Sequence, residues 1–413
     1  MKTKKNNFLF YTDWDGCVTG SAAGLAGKLA AFATEFGLSG NVWQHWLTYT
    51  LMMHDNAFTL ACERRELQPD ATLLKLAGHD LAIFMELFRA GREDFDEDEN
   101  LLPLMLDYKE PFGGDCITAA GKRICELSGQ LASAESVDEF TRVLTGYYSR
   151  YGAGIYGLYN AFRVDSGSPN EADLRLVPVA DSTDVTLDDL VGYESQKKTL
   201  RENTEAFVSG HYANNVLLYG DSGTGKSTSV HALMHEYSGR GLRLIDVTKP
   251  DRGKIPQILS AIKKRNYRFI LFLDDLSFEE DESDYKELKA MLEGALETKS
   301  DRVLIYATSN RRHLIRETWK DRNDMEYNED VHRSDTMEEK LSLASRFGIN
   351  IYYPKPDPKE YLEIVRTLAA RQGIELSGKD LEDAARKWEL RHGGMSGRTA
   401  NQLITWLEGT ENN

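Results

Sequence analysis

The sequence has few cysteines, few prolines and no long apolar run. Its 413 residues include only 4 cysteines and 10 prolines. The cysteines show no CxxC spacing, so neither a zinc site nor a dithiol redox motif is indicated, and we expect buried, reduced thiols. No stretch approaches the roughly 20 apolar residues that span a bilayer, and the basic N-terminus is followed by too few apolar residues for a secretory signal. We therefore expect a cytoplasmic protein with no membrane partner.

Positive charge is also in deficit. The chain carries 50 basic and 66 acidic residues, which gives a formal net charge of −16. Sequence-independent nucleic-acid binding depends on clustered Lys and Arg that neutralise phosphates. A broad nucleic-acid surface is therefore disfavoured, although a local basic patch is not excluded.

The residue pattern divides the chain into four parts. Residues 1–165 are predicted to form a mostly helical N-terminal domain, because apolar side chains recur near helical spacing. Residues 166–184 are rich in Ser, Asp, Asn and Pro and are predicted to be a linker. Residues 185–355 are predicted to form an α/β core, and residues 356–413 a helical subdomain.

The α/β core is predicted from short apolar runs that alternate with helical stretches, as in a parallel sheet with crossover helices. The predicted strands are 215–219, 242–246, 269–273, 303–308 and 349–353. The predicted helices of the last part are 358–372, 378–391 and 396–408.

A phosphate-binding loop follows the first of these strands. Residues 220–227 read Gly-Asp-Ser-Gly-Thr-Gly-Lys-Ser and fit the pattern GxxxxGK[ST] between a strand and a helix. Glycines let backbone N–H groups close around a phosphate, and the helix N-terminus adds partial positive charge. Lys226 is expected to neutralise the β- and γ-phosphates of ATP, and the Ser227 hydroxyl to ligate Mg²⁺. The predicted nucleotide-binding residues here are Gly220, Asp221, Ser222, Gly223, Thr224, Gly225, Lys226, Ser227 and Thr228.

Two acids follow the apolar run 269–273. Carboxylates at the C-terminal end of a buried parallel strand face the ligand crevice of an open α/β sheet. Asp274 is predicted to hold Mg²⁺ directly or through water, and Asp275 to orient and activate the attacking water.

Over residues 185–410 the chain resembles the AAA+ superfamily of P-loop ATPases, with a C-terminal helical lid. In particular it is similar to a poorly characterised group of predicted bacterial AAA+ ATP-binding proteins. The resemblance is carried by Asn-Asn-Val-Leu-Leu-Tyr-Gly at 214–220, Asp-Asp-Leu-Ser-Phe-Glu at 274–279 and Tyr-Ala-Thr-Ser-Asn-Arg-Arg-His at 306–313.

The resemblance implies roles for residues outside the two phosphate-site motifs. Asn310 matches sensor 1, which positions the lytic water, and Arg398 matches sensor 2, which reaches from the lid to the γ-phosphate. Arg346 matches the arginine finger that is presented to a neighbouring subunit, which implies a homo-oligomer. Arg311 and Arg312 are rival candidates for that contact.

The segment 187–193 resembles the AAA+ lead-in that packs beside adenine. Leu190 and Val191 would supply apolar contact to the base while the backbone reads its edge. A plain helix-capping turn is the alternative interpretation.

The sequence also departs from the AAA+ pattern. Asp275 stands where many members carry Glu, which puts the hydrolysis rate in doubt or requires help from Glu279. Segment 247–253 lacks the aromatic residue of protein-threading pore loops, so an unfoldase is disfavoured. The polar stretch 317–338 is predicted to be a mobile loop or a partner-binding element.

Residues 9–18 resemble the nucleophile motif of haloacid-dehalogenase-type phosphatases, with Asp13 and Asp15 as the candidate acids. Those enzymes need alternating strands around the motif, whereas the next 150 or so residues are predicted to be helical. A turn with side chain–backbone hydrogen bonds is the preferred interpretation.

The leading functional hypothesis is an ATPase that uses Mg²⁺ and ATP to change conformation against an unknown protein partner. The alternatives are a nucleotide-dependent scaffold with little turnover and a DNA-associated loader.

Overall fold

The computed structural model describes residues 8–12, 22–65, 71–91, 101–109, 118–165, 174–179, 185–276, 301–310, 346–374 and 376–411. These residues form two compact units. The first comprises the described residues up to Asn160 together with Lys264–Asn266, and the second comprises the described remainder of the chain. Within the described part, no helix has the length and apolar character needed to cross a membrane.

The first unit is helical, which confirms the prediction for the N-terminal region. Its helices are α1 (Ala22–Phe36), α2 (Val42–Met53), α3 (Ala57–Glu63), α4 (Thr72–Phe88), α5 (Ala119–Ala132), α6 (Val137–Tyr151) and α7 (Ile155–Leu158), with a 3₁₀ turn at Leu102–Leu106. Side-chain caps begin several of them, and Asn56 and Thr59 form a reciprocal capping box at the start of α3. Trp43 is buried in the shared core and donates its indole N–H to the Leu87 carbonyl at 3.0 Å.

The N-terminal segment 8–12 is held by a buried carboxylate. Asp80 accepts backbone N–H groups from Leu9 and Phe10, at 2.9 and 2.8 Å. The hydroxyl of Tyr11 lies 3.3 Å from that of Tyr148. Tyr11 of the phosphatase-like motif is therefore buried in the helical core, and Asp13 and Asp15 lie outside the described residues.

Residues 264–266 belong to the first unit through a dense set of polar contacts. The Arg265 guanidinium lies 2.7 Å from the Asp55 carboxylate and 2.7 Å from the buried Glu63 carboxylate. Asn266 donates its backbone N–H to Glu63 at 2.8 Å, and Arg64 donates to the Lys264 carbonyl at 2.7 Å. Burial raises the pKa of Glu63, while the neighbouring Arg265 opposes that rise.

Two of the four cysteines lie within the described residues. Cys62 is free and buried, and burial raises the pKa of its thiol. Cys125 is disulfide-bonded, so the expectation of reduced thiols is wrong for this residue.

The second unit is built on a seven-stranded sheet. The strands are β1 (Ala161–Val164), β2 (Leu176–Pro178), β3 (Val216–Gly220), β4 (Leu242–Asp246), β5 (Arg268–Leu273), β6 (Val303–Ser309) and β7 (Ile349–Tyr353). Their order is β2-β1-β4-β5-β6-β3-β7, and each neighbouring pair is parallel except β1 with β2. The predicted α/β class and all five predicted strands are confirmed.

Strands β1 and β2 were not predicted from the sequence. They lie at the end of the predicted helical domain and inside the segment 166–184 that was predicted to be a linker. Both are very short, so hydrophobic alternation gives little signal. They form because β1 pairs in parallel with β4, while β2 pairs with the other side of β1.

Helices of the second unit cover the sheet and form a separate three-helix layer. They are α8 (Glu194–Val208), α9 (Lys226–Tyr237), α10 (Ile255–Ile262), α11 (Pro358–Arg371), α12 (Gly378–Arg391) and α13 (Gly397–Glu411), with 3₁₀ turns at Leu187–Asp189, Ser238–Arg240 and Lys249–Lys254. Helices α11–α13 pack around their own apolar cluster, which includes Tyr361, Val365 and Leu403. The structure thus contains the three predicted C-terminal helices.

The strand order determines which side chains meet. Strand β6 lies between β3 and β5, and all three run parallel. The C-terminal ends of these strands therefore share one edge of the sheet, where the loop after β3, the acids after β5 and Asn310 after β6 come together.

Candidate nucleotide site

The loop after β3 has a backbone that only glycine accommodates at three positions. Gly220, Gly223 and Gly225 have φ angles of +134°, +75° and +90°. A Cβ at Gly220 would lie 2.2 Å from the Tyr353 carbonyl oxygen, and one at Gly225 would lie 2.5 Å from Leu190. These contacts explain the glycines of the motif and leave a concave loop of peptide groups.

Lys226 begins α9 and lies beneath this loop. Its side chain is buried, and Nζ donates to the Gly220 carbonyl at 3.2 Å and to the Asp221 carbonyl at 2.5 Å. Burial lowers the pKa of Lys226 to about 8, although the neighbouring carboxylates raise it. An ammonium group held by two carbonyls can turn toward an anionic ligand that binds in the loop.

The acids after β5 are joined to the loop and to β6 by hydrogen bonds. Ser227 donates its hydroxyl to Asp274 at 2.7 Å, and Thr308 donates to the same carboxylate oxygen. Asp275 has a left-handed backbone, with φ at +51°, and its N–H donates to the Thr308 hydroxyl at 2.9 Å. Asn310 donates its amide to the Asp275 carboxylate at 2.8 Å. The predicted metal ligands and water-positioning residues thus form one connected polar network.

Thr308 is a functional candidate that sequence reasoning missed. It lies one residue before the end of an apolar strand and is itself buried, so its sequence context indicates a β-branched strand former. Its position two residues before Asn310 was the available signal, because strand-end polar groups face the crevice.

Asp246 is a second missed candidate, at the C-terminal end of β4. One of its carboxylate oxygens is buried and has no hydrogen-bond partner within the described residues. Burial raises the pKa of Asp246, and the Asp274 charge adds to this effect while His231 opposes it. A carboxylate at the C-terminal end of the predicted strand 242–246 was the sequence signal.

The segment before α8 is fixed at the border of the site. Arg201 lies 2.7 Å from the Asp188 carboxylate and 2.8 Å from Glu236, which also accepts the Leu187 N–H at 3.1 Å. Thr186 and Asp189 form a capping box over the 3₁₀ turn. Leu190 and Val191 follow this turn, and Val191 packs against the apolar cluster of α11–α13.

A cavity of about 1120 Å³ lies between the loop, the acids and the three-helix layer. It brings together most of the sequence-predicted site residues, namely Leu190, Val191, Ser222, Gly223, Thr224, Gly225, Lys226, Ser227, Thr228, Asp274, Asp275, Asn310 and Arg398. From the α11–α13 layer, Ile364, Leu368, Arg371, Trp388 and Trp406 contribute to the lining.

Three predicted site residues are placed outside the described lining of the cavity. Gly220 and Asp221 lie at the base of the loop, where Asp221 accepts the Lys355 N–H at 3.2 Å. Arg346 lies just before β7, at the sheet edge opposite the loop, because β7 runs parallel to β3. The rival candidates Arg311 and Arg312, together with Glu279 and the stretch 317–338, fall outside the described residues.

Arg398 lies beside the loop, at the start of α13. Its backbone N–H donates to the Gly223 carbonyl at 3.2 Å, and a Cβ at Gly223 would lie 3.1 Å from the Arg398 Cβ. The N-terminus of α13 is thus adjacent to the loop, and the sensor 2 role of Arg398 stays a prediction.

The donor set fits Mg²⁺. Ser227 and Asp274 place a hydroxyl and a carboxylate oxygen together, and such hard oxygens are preferred by Mg²⁺. Among the described residues, no cluster of three or more His, Cys, Asp or Glu side chains could bind a metal.

The sheet has a glycine loop followed by Lys-Ser after β3, two acids after β5, and Asn310 after the intervening strand β6. A helical layer covers the cavity that these groups line. Together these features define a P-loop nucleotide-binding domain of the AAA+ class. Residues 158–411 match the family described as "Protein of unknown function (DUF815)". This match covers more than half of the chain, and the protein belongs to that family.

Curated relatives match only part of this chain. The chain is 28% identical over 117 residues to the replication factor C large subunit of Methanococcus vannielii. The matched stretch covers 27% of this chain and 24% of that protein. It is 33% identical over 76 residues to the replication factor C large subunit of Methanococcus maripaludis. That matched stretch covers 18% of this chain and 16% of that protein. The chain thus spans about a quarter or less of the length of these relatives.

Solved structures that match part of the chain include the Thermotoga maritima RuvB Holliday junction branch migration motor. It has 20% identity and a TM-score of 0.38, with 55% of this chain and 64% of that chain covered. The FIGL-1 AAA domain in complex with ADP has 21% identity and a TM-score of 0.38, with 54% and 72% covered.

Proposed function

We propose that this protein binds and hydrolyses Mg-ATP and uses the cycle to change the position of its helical lid. The observation that carries the proposal is the network from Ser227 through Asp274, Thr308 and Asp275 to Asn310, which faces the glycine loop. In this proposal, the network supplies metal-binding oxygens and a water-orienting pair beside the γ-phosphate of bound ATP.

Each site residue has a distinct role in this proposal. Lys226 leaves the loop carbonyls to contact the β- and γ-phosphates, and Arg398 contacts the γ-phosphate from the lid. Bound Mg²⁺, held by Ser227 and Asp274, would neutralise developing charge on the phosphate oxygens. Asp275 accepts the proton of the attacking water, and Asn310 holds the Asp275 carboxylate in place.

A second copy of the chain supplies Arg346. This arginine lies at the opposite sheet edge from its own glycine loop, so it can reach a phosphate only in a neighbouring copy. Its planar cation suits contact with several phosphate oxygens as charge builds. The proposal therefore includes a cytoplasmic homo-oligomer.

In this proposal the helical unit that includes the described residues up to Asn160 acts on an unknown protein partner. The seven-stranded sheet, which includes β1 and β2, belongs to the ATPase core, and residues 356–413 form the lid.

Subunit complementation tests this proposal. Lys226→Ala is expected to abolish nucleotide binding, whereas Arg346→Ala is expected to bind ATP and lose turnover. A mixture of the two variants forms sites that combine an intact loop with an intact Arg346, so phosphate release should reappear. Wild-type turnover per subunit should also rise with protein concentration. A mixture that stays inactive although both variants co-assemble would contradict the action of Arg346 between copies.

A nucleotide-dependent scaffold with little turnover is the second candidate. The observation that favours it is Asp275, whose side chain is one methylene shorter than the Glu found in many AAA+ proteins. Phosphate release by the assembled protein separates the two candidates. DNA association is not favoured by the net charge of −16, and a salt-dependent gel shift would detect it.

A further inference from the structure

Asp189, Leu190 and Val191 line the cavity at the end where the base of the nucleotide is proposed to bind, which we call the base end. The segment that carries them is held from two sides. On the sheet side, Arg201 and Glu236 anchor the 3₁₀ turn Leu187–Asp189. On the lid side, Arg371, the last residue of α11, donates to the Asp189 carbonyl at 2.7 Å and to the Asp188 carbonyl at 3.0 Å. These two carbonyls immediately precede Leu190 and Val191.

The geometry of this contact requires arginine. One planar guanidinium bonds two consecutive carbonyls, and the same group lies 3.4 Å from the Asp189 carboxylate. Fixing two consecutive carbonyls fixes two peptide planes, because each peptide group is rigid. A lysine ammonium in this place would keep the charge without the fork that spans both carbonyls.

Arg371 shares a helical face with the apolar lining of the cavity. Ile364, Leu368 and Arg371 recur at the spacing of one helix face, and all three line the cavity. Helix α11 therefore lines the base end with apolar side chains and, through Arg371, also bonds the segment that precedes Leu190 and Val191.

We infer that Arg371 is a positioning residue that joins the lid helix α11 to the segment Asp188–Val191 and so completes the base pocket. The inference rests on the proposed nucleotide binding and adds a residue that determines how the base is held. The binding energy gained from the base depends on this contact, whereas the energy gained from the triphosphate does not.

Calorimetric titration of the full-length protein with Mg-ATP and with inorganic triphosphate tests the inference. Arg371→Met keeps the aliphatic stem and removes the donors. It is expected to weaken ATP binding about tenfold, equivalent to about 1.4 kcal/mol, and to leave inorganic triphosphate binding unchanged. Arg371→Lys is expected to behave like Arg371→Met.

Arg366→Met is the matched control, because Arg366 lies on the same helix, pairs with Glu382 and is outside the described cavity lining. It should bind both compounds as the wild type does. Wild-type affinity for ATP in Arg371→Met would overturn the inference, and so would an equal loss of ATP and triphosphate, which indicates a general structural role. A wild-type protein that binds neither compound would instead refute the proposed function.

Discussion

Replacing Thr308 by Val tests the polar network of the site most selectively. Val has nearly the same shape but no hydroxyl, and Thr308 is buried, so little else should change. The substitution removes a hydrogen bond to the Asp274 carboxylate and leaves the Asp275 N–H without its acceptor. A hydrogen bond to a charged group is worth about 1.5–3 kcal/mol and a neutral one about 1 kcal/mol. Since Asp274 is exposed, we expect the free energy of unfolding to fall by about 2 kcal/mol.

The same change should lower turnover more than nucleotide affinity. Asp275 keeps its left-handed backbone with the help of Thr308, and without that contact its carboxylate loses its orientation toward the attacking water. A loss of about 1.4 kcal/mol in transition-state stabilisation corresponds to a tenfold lower kcat.

Urea unfolding and steady-state phosphate release measure the two effects, with Thr308→Ser as the control because it retains the hydroxyl. The serine variant should lie close to the wild type in kcat. Equal stability and equal kcat for Thr308→Val and the wild type would refute the assigned role of this hydroxyl.

Three further predictions concern the loop and the helical unit. Gly220→Ala forces a Cβ within 2.2 Å of a carbonyl oxygen at a φ of +134°, so thermal stability and Mg-ATP affinity should both fall, while Gly239→Ala, with open space around it, should change neither. Burial lowers the pKa of His45 from 6.5 to about 4, so the folded state binds fewer protons than the unfolded state between these pH values. The free energy of unfolding should therefore fall by about 3 kcal/mol as the pH drops from 6.5 to 4. Urea titrations of His45→Leu should lack this loss. Arg265→Met leaves the Glu63 carboxylate buried without its cation and should cost about 3 kcal/mol in unfolding free energy, part of which Glu63→Gln should restore.

Much of the nucleotide site could be predicted because its signals are local. An apolar run followed by a glycine loop, and another followed by two acids, each specify a strand and what lies at its end. Parallel pairing then brings Asp274 and Asn310 to one edge of the sheet without further information.

The contacts that could not be predicted join residues far apart in the sequence. Arg371 and Asp189 are 182 positions apart, and nothing near Arg371 distinguishes it from a surface arginine at the end of a helix. Arg265 likewise reads as part of a basic turn before β5, although it is bound by carboxylates of the first unit. Strands β1 and β2 also depend on distant pairing, since β1 pairs with β4 and β2 pairs with β1.

The most direct test of the central claim is a calorimetric titration of ATP into the wild-type protein and into Asp274→Asn, each with and without Mg²⁺. The Ser227 hydroxyl and the Asp274 carboxylate are proposed to hold the ion against the phosphates. We predict that the wild type binds ATP more tightly with Mg²⁺ and that Asp274→Asn loses most of this dependence. An identical Mg²⁺ dependence in both proteins, or no ATP binding by the wild type, would contradict the account.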